Sequence, residues 1–190
     1  MKAVCVYCGS SPGNNPVYLE QAKELGEELA SRDLALIYGG SKIGLMGKLA
    51  DTVLAKGGRA IGVLPEALGS KEVAHPGLTQ LHIVKDMHER KAKMAALSDA
   101  FIAMPGGFGT MDEVMEMITW NQLGFQAKPI GFLNVEGFYD KLFHFLRSMS
   151  KEGFVKPGLV EALALEKEPG KLLEKLETPW QVLGTWPKTF

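Results

Sequence analysis

An α/β fold with a doubly wound parallel sheet is what this sequence predicts, on three observations. Short apolar runs alternate with longer amphipathic stretches along nearly the whole chain. Several of the runs are apolar throughout, as strands buried on both faces are. Three of them end in Gly- or Ser-rich turns leading toward a helix. Alternation of this kind implies parallel strands joined by helices that cover both sides of the sheet.

The first strand falls at 3–7, in an apolar and β-branched start, and feeds the turn Cys8-Gly9-Ser10-Ser11. An amphipathic stretch at 17–31 reads as the first helix. The run 35–38 is the second strand; it enters Tyr38-Gly39-Gly40-Ser41, and a helix follows at 45–56. A third strand at 60–64 gives way to a polar segment at 65–77, punctuated by Pro and Gly and read as a loop. Strand 80–84 precedes helix 87–97, in which Met87, Met94 and Leu97 share one face at about 100° per residue. The run 100–104 ends in Met104-Pro105-Gly106-Gly107 and opens a helix at 110–123. Strand 129–133, helix 138–151, a last strand at 162–166 and helix 171–176 complete the alternation. No repeat, low-complexity tract or linker interrupts it, so residues 1–190 read as one nucleotide-binding-type domain, of ordinary size for its class.

Composition narrows the function. The chain is 46% hydrophobic and 23% charged, and its 21 Lys plus Arg against 22 Asp plus Glu leave a net charge of −1. Nonspecific nucleic-acid or membrane-surface binding needs a clustered positive excess, which this balance lacks. No apolar run approaches the ~20 residues of a membrane span, and the start has no signal-peptide cleavage pattern, so a cytoplasmic protein is expected. Cys5 and Cys8 form a C-x-x-C, but positions three apart on a strand face opposite ways and the thiols would not converge. His75, His82, His88 and His144 show no metal-ligand spacing. Buried structural cysteines and no metal are the expectation.

Ligands of an open parallel sheet bind beyond the carboxyl ends of its strands. Gly106, Gly107, Gly109 and Thr110 therefore read as a phosphate cradle opening a helix, whose first N–H groups point at an anion. Gly39, Gly40, Gly44 and Gly47 would give a second close approach of backbone to ligand. Neither turn has the dinucleotide or P-loop spacing. Tight turns need glycine in any case, so these turns alone are weak evidence. Glu113 has two readings. Thr110-Met111-Asp112-Glu113 fits a capping box, and a carboxylate one turn from a phosphate cradle also reaches a nucleotide's sugar. Arg90 and Lys91 flank the apolar stripe of their helix, so each needs an anionic partner, either a structural carboxylate or a ligand phosphate. Glu72 reads as a solvated loop acid. Lys42 and Lys48 read as solvated lysines sooner than as phosphate partners, Met111, Met115 and Met117 as core or subunit interface, and Phe108 as a packing residue or one placed to touch a base.

The same residues carry a resemblance. Pro105-Gly106-Gly107-Phe108-Gly109-Thr110-Met111-Asp112-Glu113 is similar to the P-G-G-x-G-T-x-x-E motif of the Lonely Guy family, phosphoribohydrolases of cytokinin riboside 5′-monophosphates. Gly39-Gly40-Ser41-Lys42-Ile43-Gly44-Leu45-Met46-Gly47 resembles its G-G-x-x-G-L-M-G segment, and the likeness runs over roughly residues 2–146. It implies a Rossmann-like fold, a homodimer with the site near the subunit interface, and neither metal nor organic cofactor. Arg90 and Glu113 fall on the pair the family treats as catalytic. Glu72, Lys91, Gly107, Phe108, Gly109, Thr110, Met111, Asp112 and Thr119 fall on its substrate contacts. The activity so implied is hydrolysis of the N-glycosidic bond of a purine 5′-monophosphate, an N6-modified adenosine nucleotide, with release of free base (cytokinin or adenine) and ribose 5-phosphate. The alternatives are a nucleosidase acting mainly on AMP and a noncatalytic nucleotide or cofactor carrier.

Overall fold

A computed structural model describes residues 1–68 and 74–181. Among the described residues, seven parallel strands form one sheet: β1 (Ala3–Tyr7), β2 (Ala35–Tyr38), β3 (Ala60–Pro65), β4 (Gln80–Val84), β5 (Ala100–Ala103), β6 (Ile130–Leu133) and β7 (Ala164–Glu166). The α-helices among the described residues are α1 (Val17–Ser31), α2 (Gly44–Ala55), α3 (Met87–Ala96), α4 (Phe108–Leu123), α5 (Asp140–Lys151) and α6 (Pro169–Leu176). Strand order is β4-β3-β2-β1-β5-β6-β7. It reverses between β1 and β5, where Val4 pairs with Ala100 and Tyr7 with Ala103. That is the topological switch at which a doubly wound sheet opens a crevice.

Two apolar clusters hold the layers together. Val4, Val6 and Leu36 pack with α1, α2 and α6 on one face; Cys5, Tyr7, Phe101 and Phe132 pack with α3, α4 and α5 on the other. Each large buried side chain contributes about 1.5–3 kcal/mol through its removal from water. Cys5 and Cys8 lie in opposite clusters, both buried and both free thiols, as strand alternation requires. β5 is buried along its whole length, whereas the edge strand β4 leaves Leu81 and Ile83 exposed. No helix among the described residues is long and apolar enough to cross a membrane.

The switch point is tied by the loops that leave it. Gly9 N–H donates to Pro105 O (3.1 Å) and Leu45 N–H to Gly9 O (3.1 Å), so the turns after β1 and β5 and the start of α2 form one platform. Tyr139 Oη–H donates to Met104 O (2.6 Å) from the start of α5. Gly44 has φ +61°, and a Cβ there would overlap the Ser10 backbone. Its glycine, like Gly47 against the Lys42 carbonyl, serves backbone packing rather than a ligand.

Candidate active site

α3 starts on Asp86, whose Oδ1 accepts the N–H groups of His88 and Glu89, both at 2.9 Å. From that start the helix buries Arg90, Lys91, Met94 and Ala95, while Met87 stays exposed. The expected stripe is thus rotated, because two charged side chains take the inner positions and find partners there. Arg90 Nε–H donates to Val63 O (3.0 Å) and Nη2–H to Gly39 O (3.2 Å), and Nη1 pairs with Glu113 Oε1 at 3.4 Å. The Met87 sulfur lies 3.9 Å from Nη1. Every nitrogen of the guanidinium has a protein partner, which fixes Arg90 in place on the cleft wall. Of the two partners expected for it, the structure supplies the carboxylate.

Lys91 lies 3.1 Å from Asp112 Oδ2 and 3.0 Å from Glu116 Oε2. Burial alone would lower its ammonium, but the pairs with Glu116 and Asp112 outweigh this and hold it above the ordinary lysine value. It pins α3 to α4. Lys42 and Lys48 are exposed.

α4 begins two residues earlier than the spacing suggests. Its N-cap is Gly107, with no side-chain cap bond, and the first intrahelical bond runs from Met111 N–H to Gly107 O (3.1 Å). Thr110 therefore sits inside the first turn and the capping-box reading of Glu113 fails. Glu113 lies further along the helix, buried, with its carboxylate on Arg90. The N–H groups of Phe108, Gly109 and Thr110 precede that first bond and leave the helix end as a positive pole. A Cβ on Gly107 or Gly109 would meet nothing within 4 Å, so this end of the helix opens onto space.

That space is a cleft of about 250 Å³. Gly107, Phe108, Gly109, Thr110 and Glu113 form its α4 wall, Arg90 and Gly39 another, and Cys8, Gly9 and Ser10 a third. Burial, with help from the nearby Glu113 charge, pushes the Cys8 thiol well above its usual range. Burial likewise raises the Tyr7 phenol, which also lines the cleft. Neither is therefore held as a thiolate or phenolate. Of the glycines proposed for the second turn, Gly39 reaches the cleft: a Cβ there would overlap Arg90 Nη2. Gly40, at φ +80°, packs against Gly62.

The remaining candidates divide. Met111 is half-buried, and Asp112 is exposed on the outer side of the Lys91 pair. Thr119 is exposed, its hydroxyl bonded to Met115 O (2.8 Å), and it does not line the cleft. It lies nine residues beyond Thr110, about 13 Å along the helix. Glu72 falls outside the described residues. Sequence reasoning missed the carbonyls of Val63 and Gly39, and also Ser10 and Met46 on the cleft wall. Ser10 had a signal, the Gly/Ser turn after β1; a backbone acceptor has none.

Comparison with known proteins decides the family. Residues 46–176 match the family model described as "Possible lysine decarboxylase". The chain is 48% identical, over 92% of its length and 78% of the relative, to the probable cytokinin riboside 5′-monophosphate phosphoribohydrolase LOGL1 of Oryza sativa subsp. japonica. It is 47% identical, over 93% of its length and 83% of the relative, to cytokinin riboside 5′-monophosphate phosphoribohydrolase LOG1 of Arabidopsis thaliana. The chain belongs to the Lonely Guy family. Among solved structures, the molybdenum cofactor carrier protein of Chlamydomonas reinhardtii superposes with a TM-score of 0.71 at 21% identity, covering 93% of this chain and 99% of that one. The molybdenum cofactor binding protein of Rippkaea orientalis does so at 0.70 and 22%, covering 93% and 96%. These two share the fold with this Lonely Guy protein, and at that identity the likeness extends to the fold alone.

Proposed function

We propose that the chain is a phosphoribohydrolase that cleaves the N-glycosidic bond of purine nucleoside 5′-monophosphates, N6-prenylated or plain. The observation that carries this reading is the buried Arg90–Glu113 pair opening onto the same cleft as the N-terminus of α4. The 5′-phosphate binds the N–H groups of Phe108, Gly109 and Thr110, where the helix dipole favours an anion. The ribose then lies along α4 toward Glu113.

Cleavage builds positive charge at C1′, and an anion beside the sugar stabilises such an oxocarbenium-like state. Glu113 is that anion. It holds the ribose hydroxyls and orients the water that attacks C1′; general-base help of this kind is worth ~10²–10⁴-fold in rate. The C1′–N9 bond breaks with its electron pair on the purine, and the proton that the leaving purine takes up is balanced by the one the attacking water gives up. Water supplies the new C1′ hydroxyl, and ribose 5-phosphate remains. Arg90 acts through Glu113, fixing its orientation from a guanidinium anchored on Val63 O and Gly39 O. Binding energy at the remote phosphate places C1′ against the acid, so nucleotides are preferred to nucleosides.

A pyridoxal-dependent decarboxylase needs a lysine aimed into the cleft. Among the described residues none lines it, and Lys91 is held as a cation between two carboxylates. A carrier needs the phosphate cradle but no Arg90–Glu113 pair. The protein is further proposed to work as one cytoplasmic nucleotide-binding domain that pairs as a homodimer beside the site. Phe108, Leu123 and Phe125, 97%, 59% and 74% exposed, leave large apolar surface at both ends of α4. Thr119, exposed on α4 and off the cleft wall, would meet a nucleotide in the site of a second copy.

Chromatography of reactions with AMP, N6-isopentenyl-AMP and adenosine tests the reading. Free base and ribose 5-phosphate are expected from the two nucleotides, far less base from adenosine, and none with Glu113→Ala. Tight retention of nucleotide without turnover would replace the hydrolase by a carrier.

A further inference from the structure

His75 and Asp51 are absorbed by nothing above, yet they lie one step behind the site. His75 is buried, and its ring has two definite partners. Gly77 N–H donates to Nδ1 (3.1 Å), so the ring proton is on Nε2, which donates to Asp51 Oδ1 at 2.9 Å. The Asp51 side chain belongs to α2 and is 68% exposed. A surface helix thus reaches in to hold a buried ring of the β3–β4 connection.

The purpose lies in the His75 backbone. His75 N–H donates to Gly40 O (3.0 Å), and Ala74 forms an antiparallel bridge with the fully buried Ser41. Gly39, Gly40 and Ser41 have left β2, and among the described residues no strand ladder includes them. The carbonyls of the two glycines are each taken by one long-range donor: Gly40 O by His75, and Gly39 O by the Arg90 guanidinium (3.2 Å). A rotation of this turn would carry the Gly39 carbonyl away from Nη2 and let the guanidinium, and with it Glu113, shift.

We infer that the Asp51–His75 pair is a positioning unit for catalysis, clamping the Gly39–Ser41 turn so that its carbonyl holds Arg90 in register with Glu113. The inference rests on the hydrolytic reading, and it assigns these two residues no contact with substrate. A 1 Å misplacement remote from the chemistry can cost on the order of 100-fold in rate, so losing one tether of the clamp is expected to cost about tenfold. The effect belongs to kcat. The phosphate cradle is on another wall and keeps KM within about twofold.

Two readouts test it. With AMP, Asp51→Ala and His75→Phe are expected to lower kcat about tenfold at unchanged KM, while Asp51→Asn, which keeps an oxygen for Nε2–H, recovers most of it. In ¹⁵N-arginine-labelled protein, the Arg90 Nε–H resonance, identified by its loss in Arg90→Lys, exchanges slowly in the wild type. It should exchange faster in Asp51→Ala and recover in Asp51→Asn. Asp51 is a surface position, so its variants are expected to fold even if His75→Phe does not. Unchanged kcat and unchanged Arg90 exchange in folded Asp51→Ala would overturn the inference, as would a loss that Asp51→Asn fails to restore. A wild type that releases no ribose 5-phosphate would instead end the hydrolytic reading, and the arginine exchange would still decide the clamp.

Discussion

A methyl group at position 39 would occupy the place of an Arg90 nitrogen. Gly39→Ala is therefore expected to leave the fold intact, displace the guanidinium and lower kcat by about 10²-fold, the scale of a 1 Å misplacement. Steady-state kinetics with AMP, alongside a melting curve, reads both effects. Glu113→Gln keeps the size of the side chain and removes its negative charge; turnover should fall by ~10²–10⁴-fold with KM little changed. A variant retaining a tenth of wild-type kcat would show that the carboxylate is not the reacting anion. Arg90 and Glu113 were both legible as candidates in the sequence, from the motif and from a guanidinium on the flank of an apolar stripe. The family resemblance also implied that they act as a pair, but not the contacts that anchor it. The groups that hold Arg90 come from Gly39, Val63 and Glu113, three separate elements, and two of the contacts are backbone carbonyls that no side-chain pattern encodes.

At the scale of elements, α3 and α4 carry the site, and their starts decide its geometry. The capping-box spacing at Thr110–Glu113 placed the helix start two residues late. The true start passes through Gly107-Phe108-Gly109, residues with poor helix preference, and follows the close approach of Gly106 to Gly9 and Thr110. α3 has a cap that local sequence does supply. Asp86 is held below the usual carboxylate range by the N–H groups of Glu89 and His88. A carboxylate with a lowered folded pKa stabilises fully above its unfolded value and loses that contribution as pH falls through the folded one. In Asp86→Asn, which still caps, stability should therefore fall less steeply below about pH 4 than in the wild type. Acid titrations followed by circular dichroism compare the two slopes, and identical slopes would contradict the assignment. Between the helices, Lys91→Met leaves Asp112 and Glu116 facing each other without their cation. A loss of roughly 1–3 kcal/mol is expected in urea unfolding, between the exposed and buried limits for ion pairs.

For the whole molecule, the parallel sheet and its order of helices were legible because apolar runs and amphipathic stretches alternate without a break. The strand order was implied only as far as a doubly wound sheet; the reversal between β1 and β5 is what places the turns after both strands beside α4. Edge strand β4 departs from the pattern of full burial, since no strand lies beyond it and Leu81 and Ile83 stay exposed. Thr119 shows the limit of reading a site from a motif: its motif position is clear, yet it lies six residues, about 9 Å, beyond Glu113 and does not line the cleft. The central claim is spatial, that one cleft binds the 5′-phosphate at the α4 N-terminus and presents C1′ to Glu113. A crystal structure of Glu113→Gln soaked with AMP measures this most directly. The account predicts phosphate oxygens on the N–H groups of Phe108, Gly109 and Thr110, with the ribose against residue 113. A nucleotide bound with its phosphate elsewhere, or with its sugar turned away from that side chain, would contradict it.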